Sequence, residues 1–334
     1  MNTVVRRADA DGIAHAADII KSGGLVAFPT ETVYGLGCNA LDASARAKVY
    51  AAKGRPPDNP LISHIAATEQ LAELVAEVPY CATKLMETFW PGPLTIILKA
   101  TGGGTIGVRM PSNAIALKLI QAAGVPIAAP SANVSGRPSP TRASHVLADL
   151  DGKIEMILDG GSCEHGLEST VIDCTAQPPM ILRPGSITKA MVEGFIGSVG
   201  MLTDVNGDAA PKAPGMKYTH YSPKAMLTVV AGGRSAVACE IVRLVGATRG
   251  RVGIMATSQS LGHYDECGTH AALLDMGQTT TQIATELFEL LRKCDELELD
   301  AVFVEGIAED GLGEAIMDRL KKAAGHKVIY TEGK

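Results

Sequence analysis

Side chains able to bind an anion are concentrated in two short stretches early in the chain. The first, Thr30–Gly37, holds two threonine hydroxyls, a carboxylate, a tyrosine and two glycines, and it follows a short apolar run that ends at Pro29. Proline cannot donate to a central sheet ladder, so we expect the strand to stop there and a loop to follow. Because Gly35 and Gly37 allow the backbone to approach a ligand closely, this segment is more typical of a ligand-binding loop than of a core.

The second stretch places two cations one residue apart. Lys53 and Arg55 lie where a helix that begins at Asp42 gives way to two prolines, and Asn59 and His64 follow. Beyond the helix neither cation is fixed to a helical face, so both side chains can point into one pocket. Cations, an amide, an imidazole and hydroxyls together suit an anionic, hydroxyl-bearing ligand. The alternative is a solvated helix end whose cations stabilise the C-terminal dipole, with His64 an ordinary structural histidine.

Polar residues further along the chain lie at the ends of predicted strands. Arg109 and Arg183 stand inside or at the end of apolar strands, where an unpaired buried charge costs several kcal/mol, so each is expected to have an anionic partner. Ser131 and Asn133 follow the buried strand 125–129, at the position where open α/β sheets bind ligands. Ser131 and Ser169 have an equally good alternative role, which is to satisfy nearby backbone groups.

These residues must be positioned by an α/β fold. Apolar periodicity and capping residues predict helices at 11–22, 42–53, 68–76, 79–89, 113–123 and 188–196, with strands at 25–28, 94–98, 106–110, 125–129, 154–158, 169–174 and 180–183. Between Gly197 and Pro223 the periodicity disappears, which indicates a linker. Beyond it, strands at 226–230, 252–256, 272–276, 300–305 and 327–330 alternate with helices at 234–246, 278–293 and 314–324. We therefore predict a catalytic domain at 1–197, a linker at 198–224, and a small, Rossmann-like parallel α/β domain at 225–334.

Composition narrows the functional class. The chain has 334 residues, of which 46% are apolar and only 4% aromatic, so its core must be aliphatic. Its formal charge is −6, which argues against a general polyanion binder and leaves room only for a local patch. The seven cysteines show no C-x-x-C spacing, no apolar leader is present, and no run approaches a membrane span. We expect a cytoplasmic protein with reduced thiols and no membrane partner.

Eight motifs resemble those of the YrdC-like family in its long, two-domain form. They are FPTETVYGLG at 28–37, K-x-R-P-x-x-N-P-L at 53–61, WPGPLT at 90–95, VRMP at 108–111, APSAN at 129–133, GLESTVID at 166–173, LRPG at 182–185 and PGMKYTHYSP at 214–223. The resemblance implies a twisted mixed sheet with helices in the first domain. It also implies a nucleotidyltransferase that makes threonylcarbamoyl-AMP and pyrophosphate from ATP, L-threonine and bicarbonate. The product would pass to the transferase complex that modifies adenosine beside the tRNA anticodon.

The resemblance also assigns roles to single residues. It implies threonine contacts from Thr32, His64, Arg109 and Ser169, ATP contacts from Arg55, Asn59, Thr105, Ala129, Ser131, Asn133, Arg183, His220 and Tyr221, and charge neutralisation by Lys53 and Arg55 as the catalytic pair. The segment between Lys99 and Arg109 is shorter and richer in glycine than is usual in the family, so we expect a mobile loop there. No paired carboxylates mark a metal site, and Mg²⁺ is expected to arrive on the ATP phosphates.

The segment PGMKYTHYSP indicates a lid. A simple tether gains nothing from two tyrosines, whereas tyrosines beside Lys217 and His220 suit a segment that covers an anionic ligand and excludes water. We therefore expect Lys217, His220 and Tyr221 to face the cleft of the first domain. An inert spacer is the alternative.

Two other functions compete with synthesis of the adenylate. An RNA-binding module would use the local cations Lys53, Arg55, Arg109, Arg137, Arg142 and Arg183, and it would make at most a weak RNA contact because the chain is acidic and lacks RNA-stacking aromatic motifs. A carbamoyl-transfer maturation factor of the hydrogenase type shares the YrdC-like domain, but such factors are expected to carry zinc-finger cysteine pairs. Threonine-dependent release of pyrophosphate distinguishes the three.

Overall fold

The computed structural model describes residues 2–202, 220–267 and 270–331. These residues group into two compact units. The first comprises 2–135 and 139–202, and the second comprises the described residues from 220 onward together with Gly136–Pro138. The predicted boundaries, 1–197, 198–224 and 225–334, stay a prediction. Within the described residues no helix is long and apolar enough to cross a membrane.

The first unit is built on a twisted mixed sheet flanked by helices. Its strands are β1 (Val4–Arg7), β2 (Val26–Phe28), β3 (Gly35–Asn39), β4 (Ile62–His64), β5 (Val75–Glu77), β6 (Leu94–Ala100), β7 (Thr105–Arg109), β8 (Ile127–Ala129), β9 (Met156–Asp159), β10 (Thr170–Asp173), β11 (Met180–Arg183) and β12 (Gly200–Met201). Its helices are α1 (Ala10–Lys21), α2 (Ala43–Lys53), α3 (Tyr80–Phe89), α4 (Ala114–Ala123), α5 (Ala143–Leu150) and α6 (Lys189–Ile196). The predicted mixed sheet is confirmed.

The order of the strands brings the polar ends of several strands to one edge of this sheet. The order is β1-β9-β2-β3-β8-β4-β7-β6-β10-β11-β12, with β5 paired to β6. Strands β4 and β7 are parallel and pair His64 with Arg109, so their carboxyl ends lie side by side. Strand β6 runs antiparallel to β7 and parallel to β10, and β10 runs antiparallel to β11. The start of β10 and the end of β11 therefore face the same edge as His64 and Arg109.

Local signals explain most of these elements. Asp42 caps α2 by accepting from the amides of Ser44 and Ala45, and Gly54 ends the helix in the left-handed conformation, as predicted. The predicted helix at 68–76 is wrong. A short 3-10 turn, Thr68–Glu73, leads instead into β5, because pairing with the edge of β6 satisfies its backbone. Gly35–Gly37, expected to be loop, is the start of β3.

The second unit is a five-stranded parallel sheet. Its strands are β13 (Met226–Ala231), β14 (Val252–Ala256), β15 (Ala271–Asp275), β16 (Ala301–Glu305) and β17 (Val328–Tyr330), and its helices are α7 (Arg234–Ala247), α8 (Thr280–Glu296) and α9 (Leu312–Ala323). The order is β15-β14-β16-β13-β17, and every pairing is parallel. This confirms the predicted Rossmann-like class.

The second unit also includes residues 136–138, which lie in the sequence between two parts of the first unit. The Gly136 carbonyl accepts from Ser222, Arg292 donates to the Pro138 carbonyl at 2.5 Å, and Arg137 pairs with Asp295 at 3.3 Å. Long-range pairing of this kind leaves no local pattern in the sequence.

Candidate active site

The loop of residues 30–34, which we call the 30–34 loop, is the centre of the site in the first unit. Its shape is set by Thr30, whose hydroxyl accepts from the amides of Thr32 and Val33 and donates to the Val33 carbonyl. The Glu31 carbonyl accepts from the His165 amide at 2.8 Å, and the Tyr34 carbonyl accepts from the Ala132 amide at 2.8 Å. The loop thus joins the segments that carry the other predicted residues.

Arg109 is held under this loop by three different partners. Its Nη1 donates to the Thr32 hydroxyl at 2.9 Å, and its Nε donates to the Gly92 carbonyl at 3.3 Å. Its Nη2 lies 2.6 Å from Glu31 Oε1, and both side chains of this ion pair are almost fully buried. The anionic partner predicted for Arg109 is therefore present within the protein itself.

Glu31 was not among the predicted site residues. Burial raises the pKa of its carboxyl, but the Arg109 guanidinium and hydrogen bonds to the carboxylate outweigh burial, so the pKa lies below its ordinary 4.5. The buried group is therefore a carboxylate at neutral pH. Sequence reasoning looked for cations that could bind an anionic ligand, and it therefore did not consider the acidic Glu31. Glu31 could have been found from the sequence, because Arg109 needed an anionic partner and Glu31 is the carboxylate within the loop segment.

His64 lies beside this ion pair and is neutral. The side chain is 4% exposed. Its pKa is lowered from 6.5 to about 3, first by burial and then by the nearby Arg109 guanidinium, with Glu31 acting in the opposite direction. The ring meets Phe28 edge-on at 6.3 Å between centroids. Among the described residues its Nδ1 has no hydrogen-bond partner. A buried polar atom in this state needs a partner, such as an ordered water or a ligand.

Lys53 acts on the backbone of the Ser131–Asn133 turn. Its ammonium donates to the carbonyls of Ser131 and Asn133, and its own carbonyl accepts from Ser135. The side chain is only 2% exposed. The interpretation of Lys53 as a solvated helix end is therefore wrong. The structure brings Lys53, Ser131 and Asn133 together, with the lysine ordering the turn.

Arg55 orders the loop that follows it. Its Nε donates to the Asn59 carbonyl at 3.1 Å, and its Nη2 donates to Asn59 Oδ1 at 2.7 Å and to the Pro60 carbonyl at 2.9 Å. The side chain is buried, so the guanidinium fixes residues 55–60 as one rigid turn. Asn59 and Arg55, both predicted to contact ATP, are thus direct neighbours.

A third group surrounds Ser169. Arg183 donates through Nε to the Ser169 carbonyl at 3.1 Å and through Nη2 to the Ser169 hydroxyl at 3.2 Å. That hydroxyl also lies 2.8 Å from the Thr95 hydroxyl. The neighbouring Glu168, another residue that the sequence search missed, accepts from Ser139 at 2.6 Å. The side chains of Arg183, Ser169, Thr95, Glu168 and Ser139 are all buried.

Two further predicted contacts add no polar side chain to these groups. Thr105 is exposed at the start of β7, and the strand rise places it about 13 Å from Arg109. Ala129 is buried at the end of β8 and offers only its backbone beside the Ser131–Asn133 turn.

His220 and Tyr221 lie in the second unit. Tyr221 is 4% exposed, its ring is 5.2 Å from that of Phe288, and the Arg319 guanidinium lies 5.9 Å from its centroid. Its φ of 66° is unusual for a tyrosine, and such strain persists where surrounding contacts hold it. The ring therefore anchors this segment to α8 and α9. The expectation that both residues face the first domain's cleft stays a prediction. Pro214 to Thr219, including Lys217 and Tyr218, lie outside the described residues.

The site has the chemistry of charge recognition. Burial raises the pKa of the Cys163 thiol to about 12, which makes it a poor nucleophile. A contact of 3.2 Å joins His165 Nδ1 to Ser186 Oγ, but no carboxylate orients that imidazole in the described part of the chain. Among the described residues no three His, Cys, Asp or Glu side chains cluster as a metal site would. Binding and orienting a polar, charged ligand is what the arrangement can do.

Comparison with known proteins identifies the family. Residues 18–185 match the family model described as Telomere recombination, and residues 187–325 match the threonylcarbamoyl-AMP synthase C-terminal domain. The chain is 48% identical to the threonylcarbamoyl-AMP synthase of Pyrococcus abyssi, with 94% of each chain covered. It is 45% identical to that of Bacillus subtilis, covering 95% of this chain and 94% of the relative.

The chain belongs to the threonylcarbamoyl-AMP synthase family. Among solved structures, P. abyssi Sua5 complexed with L-threonine is 45% identical, with a TM-score of 0.91 over 99% of both chains. The two family models together match residues in both units, and the likeness to this solved structure also extends over both. The predicted resemblance to the two-domain YrdC-like form is confirmed.

Proposed function

We propose that the protein is a threonylcarbamoyl-AMP synthase, which joins L-threonine, bicarbonate and ATP into threonylcarbamoyl-AMP with release of pyrophosphate. The observation that carries this proposal is the buried group of Arg109, Glu31, Thr32 and neutral His64, in which His64 Nδ1 has no partner among the described residues. Family membership supports the reaction, and this group is the place that we propose for the amino acid.

L-threonine offers three groups that this cluster can recognise. Its carboxylate suits the planar fork of Arg109, and its ammonium suits the Glu31 carboxylate. Its β-hydroxyl suits His64 Nδ1, because a neutral imidazole nitrogen can accept or donate a hydrogen bond. The pair Arg109–Glu31 is neutral overall, which favours a zwitterion over a simple anion. Each contact gives a further hydrogen-bond partner to a protein group that is already buried, so binding removes little additional water from the protein side.

The reaction requires positioning more than covalent catalysis. The threonine ammonium first loses a proton to solvent. The resulting amine forms an N–C bond with the carbon of bicarbonate as a C–O bond of bicarbonate breaks, and the departing hydroxide takes a second nitrogen proton and leaves as water, so a carbamate remains. A carbamate oxygen then attacks the α-phosphorus of ATP as the bond to the pyrophosphate oxygen breaks. Charge shifts onto phosphate oxygens in that step, so preorganised cations are the main requirement. Lys53, Arg55 and Arg183 are buried, ordered cations of the kind needed.

ATP enters as its magnesium complex, which we propose as the substrate form. In the residues that the structure describes there is no carboxylate cluster to hold Mg²⁺ independently, so its ligands would be the phosphates and water. The Ser131–Asn133 turn and the 55–60 turn, with the Arg183–Ser169 group, are the proposed nucleotide contacts. The product would pass to the transferase complex that modifies tRNA.

The RNA-binding alternative fits the structure poorly. Four of the six cations it would use, Lys53, Arg55, Arg109 and Arg183, are each at most 8% exposed and donate to protein groups. A nucleic-acid backbone needs cations at an accessible surface. The buried cations are suited to a small ligand.

The test is the dependence of pyrophosphate release on the amino acid. With MgATP and bicarbonate, release should require L-threonine, and L-serine, which lacks the γ-methyl, should be the closest substitute. Arg249→Glu, an exposed change in the second unit, serves as the control that retains activity. Equal release without any amino acid would overturn the proposal.

A further inference from the structure

The second unit contains a crevice at the point where its chain connections reverse direction. Strand β13 is followed by α7 and then by β14, which lies toward one edge of the sheet. Its neighbour β16 is followed by α9 and then by β17, which lies at the opposite edge. Helices that leave adjacent strands in opposite directions open a gap beyond the carboxyl ends of those strands. In open α/β sheets this gap is where ligands bind. The geometry is independent of the site in the first unit.

A cavity of about 270 Å³ occupies this gap. Its lining comes from the ends of three neighbouring strands: Gly232 and Arg234 follow β13, Thr257 and Ser260 follow β14, and Glu305 ends β16. This volume is close to the lower limit for small-molecule pockets in proteins. The cavity is therefore of a size for an amino acid or a small phosphorylated metabolite.

The floor of the cavity is rich in hydrogen-bond acceptors. Glu305 is 4% exposed, and its Oε1 accepts from the Tyr264 hydroxyl at 2.7 Å. Its Oε2 accepts from the Thr257 amide at 2.9 Å and lies 3.2 Å from the Thr257 hydroxyl. The Ser260 and Thr257 hydroxyl oxygens are 3.1 Å apart.

The Thr257 hydroxyl shares its one proton between the Ser260 oxygen at 3.1 Å and Glu305 Oε2 at 3.2 Å. The Ser260 hydroxyl therefore keeps its own proton and one lone pair for a ligand in the cavity.

The mouth of the cavity has the opposite character. Helix α7 begins there, with Gly233 as its N-cap, no side-chain cap and no acidic residue in its first turn. Arg234, which is exposed, is the first residue of that helix. The helix amides and the guanidinium both favour a negative charge at the mouth. A ligand that satisfies both ends must present donors to the floor and an anion to the mouth.

We propose that this crevice is a second ligand site, for a small anion whose other end carries hydroxyl or ammonium donors. L-threonine, a substrate of the proposed reaction, and AMP, which is released when the adenylate is consumed, both have this chemistry. The site lies outside the residues assigned to catalysis. Its occupancy would therefore give the second unit a binding function of its own, whether or not the proposed activity holds.

The test is a titration of the full-length chain, labelled with nitrogen-15, by sodium phosphate, AMP and L-threonine separately. The backbone amides of Gly232, Gly233 and Gly306 lie at the crevice and report on its occupancy. We expect saturable shifts of these signals with AMP or L-threonine at millimolar concentration. Inorganic phosphate should bind more weakly because it has no donors of the required placement.

Two variants make the test specific. Arg234→Glu should weaken binding by about ten-fold or more, since one charge-assisted contact is lost and repulsion is added. Arg249→Glu is the matched control: it is an equally exposed arginine beyond the other end of α7, and it should bind as the wild type does. Glu305→Gln should also weaken binding, and if that buried change prevents folding, the Arg234 variant still decides. No shift with any probe, equal binding by Arg234→Glu and Arg249→Glu, or phosphate binding as tightly as AMP and L-threonine would overturn the proposal.

Discussion

The neutral state of His64 predicts how the first unit responds to acid. Its pKa is lowered from 6.5 to about 3 in the folded protein by burial and by the Arg109 guanidinium. Protonation would place a second cation beside Arg109, with Glu31 as the nearby carboxylate. In the unfolded chain the same imidazole takes up its proton at its ordinary pKa. The contribution of neutral His64 to the free energy of unfolding is therefore fully present above pH 6.5, and it is lost as the pH falls from there toward about 3.

The size of this loss is set mainly by the unfolded-state pKa. Between about pH 7.5 and about pH 5 the unfolded chain gains almost one proton at this position, and the folded protein gains almost none. Proton linkage then removes about 2 kcal/mol from the free energy of unfolding. A folded-state pKa of 4 instead of 3 changes this figure little, because both lie below the pH range. His64→Gln, which cannot take up the proton, should lack this loss.

The assay follows urea unfolding by the fluorescence of Trp90. This residue is the one tryptophan in the chain and belongs to the first unit, where its Nε1 donates to the Leu94 carbonyl. The signal therefore reports on the unit that holds His64. Over this pH range the wild type should lose about 2 kcal/mol more than His64→Gln. His15→Gln, at an exposed position of α1, should behave as the wild type does. Parallel stability curves for wild type and His64→Gln would refute the reasoning.

Three further changes test single contacts. Glu31→Gln should weaken L-threonine binding by about 10- to 100-fold but leave binding of the amine-free analogue 3-hydroxybutyrate less affected; an equal loss for both would mean that Glu31 only orients Arg109. Lys53→Met should lower the stability reported by Trp90 by about 1–3 kcal/mol and weaken MgATP binding, while Lys48→Met, on the same helix, should affect the nucleotide little. Tyr221→Ala should lower the stability of the second unit by about 3 kcal/mol, measured by amide exchange in α8, and Tyr221→Phe should retain most of it; identical losses would contradict an anchoring role for the ring.

Local sequence signals predicted the elements well where the structure depends on neighbours along the chain. The start of α2 at Asp42, its end at Gly54 and the alternating elements of the second unit follow from capping and periodicity. The short strand β5 could not be predicted in this way. Its conformation depends on pairing with β6, and nothing in the sequence of residues 75–77 encodes that partner.

The site was predicted in part. Residue type and position indicated that Arg109 and Arg183 needed anionic partners. Arg109 has one in Glu31, whereas Arg183 donates to the neutral Ser169. The identity of those partners could not be predicted, because Glu31 and Ser169 meet these arginines only through the sheet order. Sequence reasoning did not anticipate that Lys53 and Arg55 also donate to backbone carbonyls of nearby turns that are buried with them. Their contacts with the ligand stay a prediction.

The most direct test of the central claim is to identify the product. The protein is incubated with MgATP, L-threonine and carbon-13 bicarbonate, and the mixture is analysed by mass spectrometry soon after mixing. The proposed function predicts threonylcarbamoyl-AMP carrying one carbon-13 atom, formed in step with pyrophosphate and absent when L-threonine is omitted. Pyrophosphate release without a labelled adenylate, or an adenylate that carries no label, would contradict it.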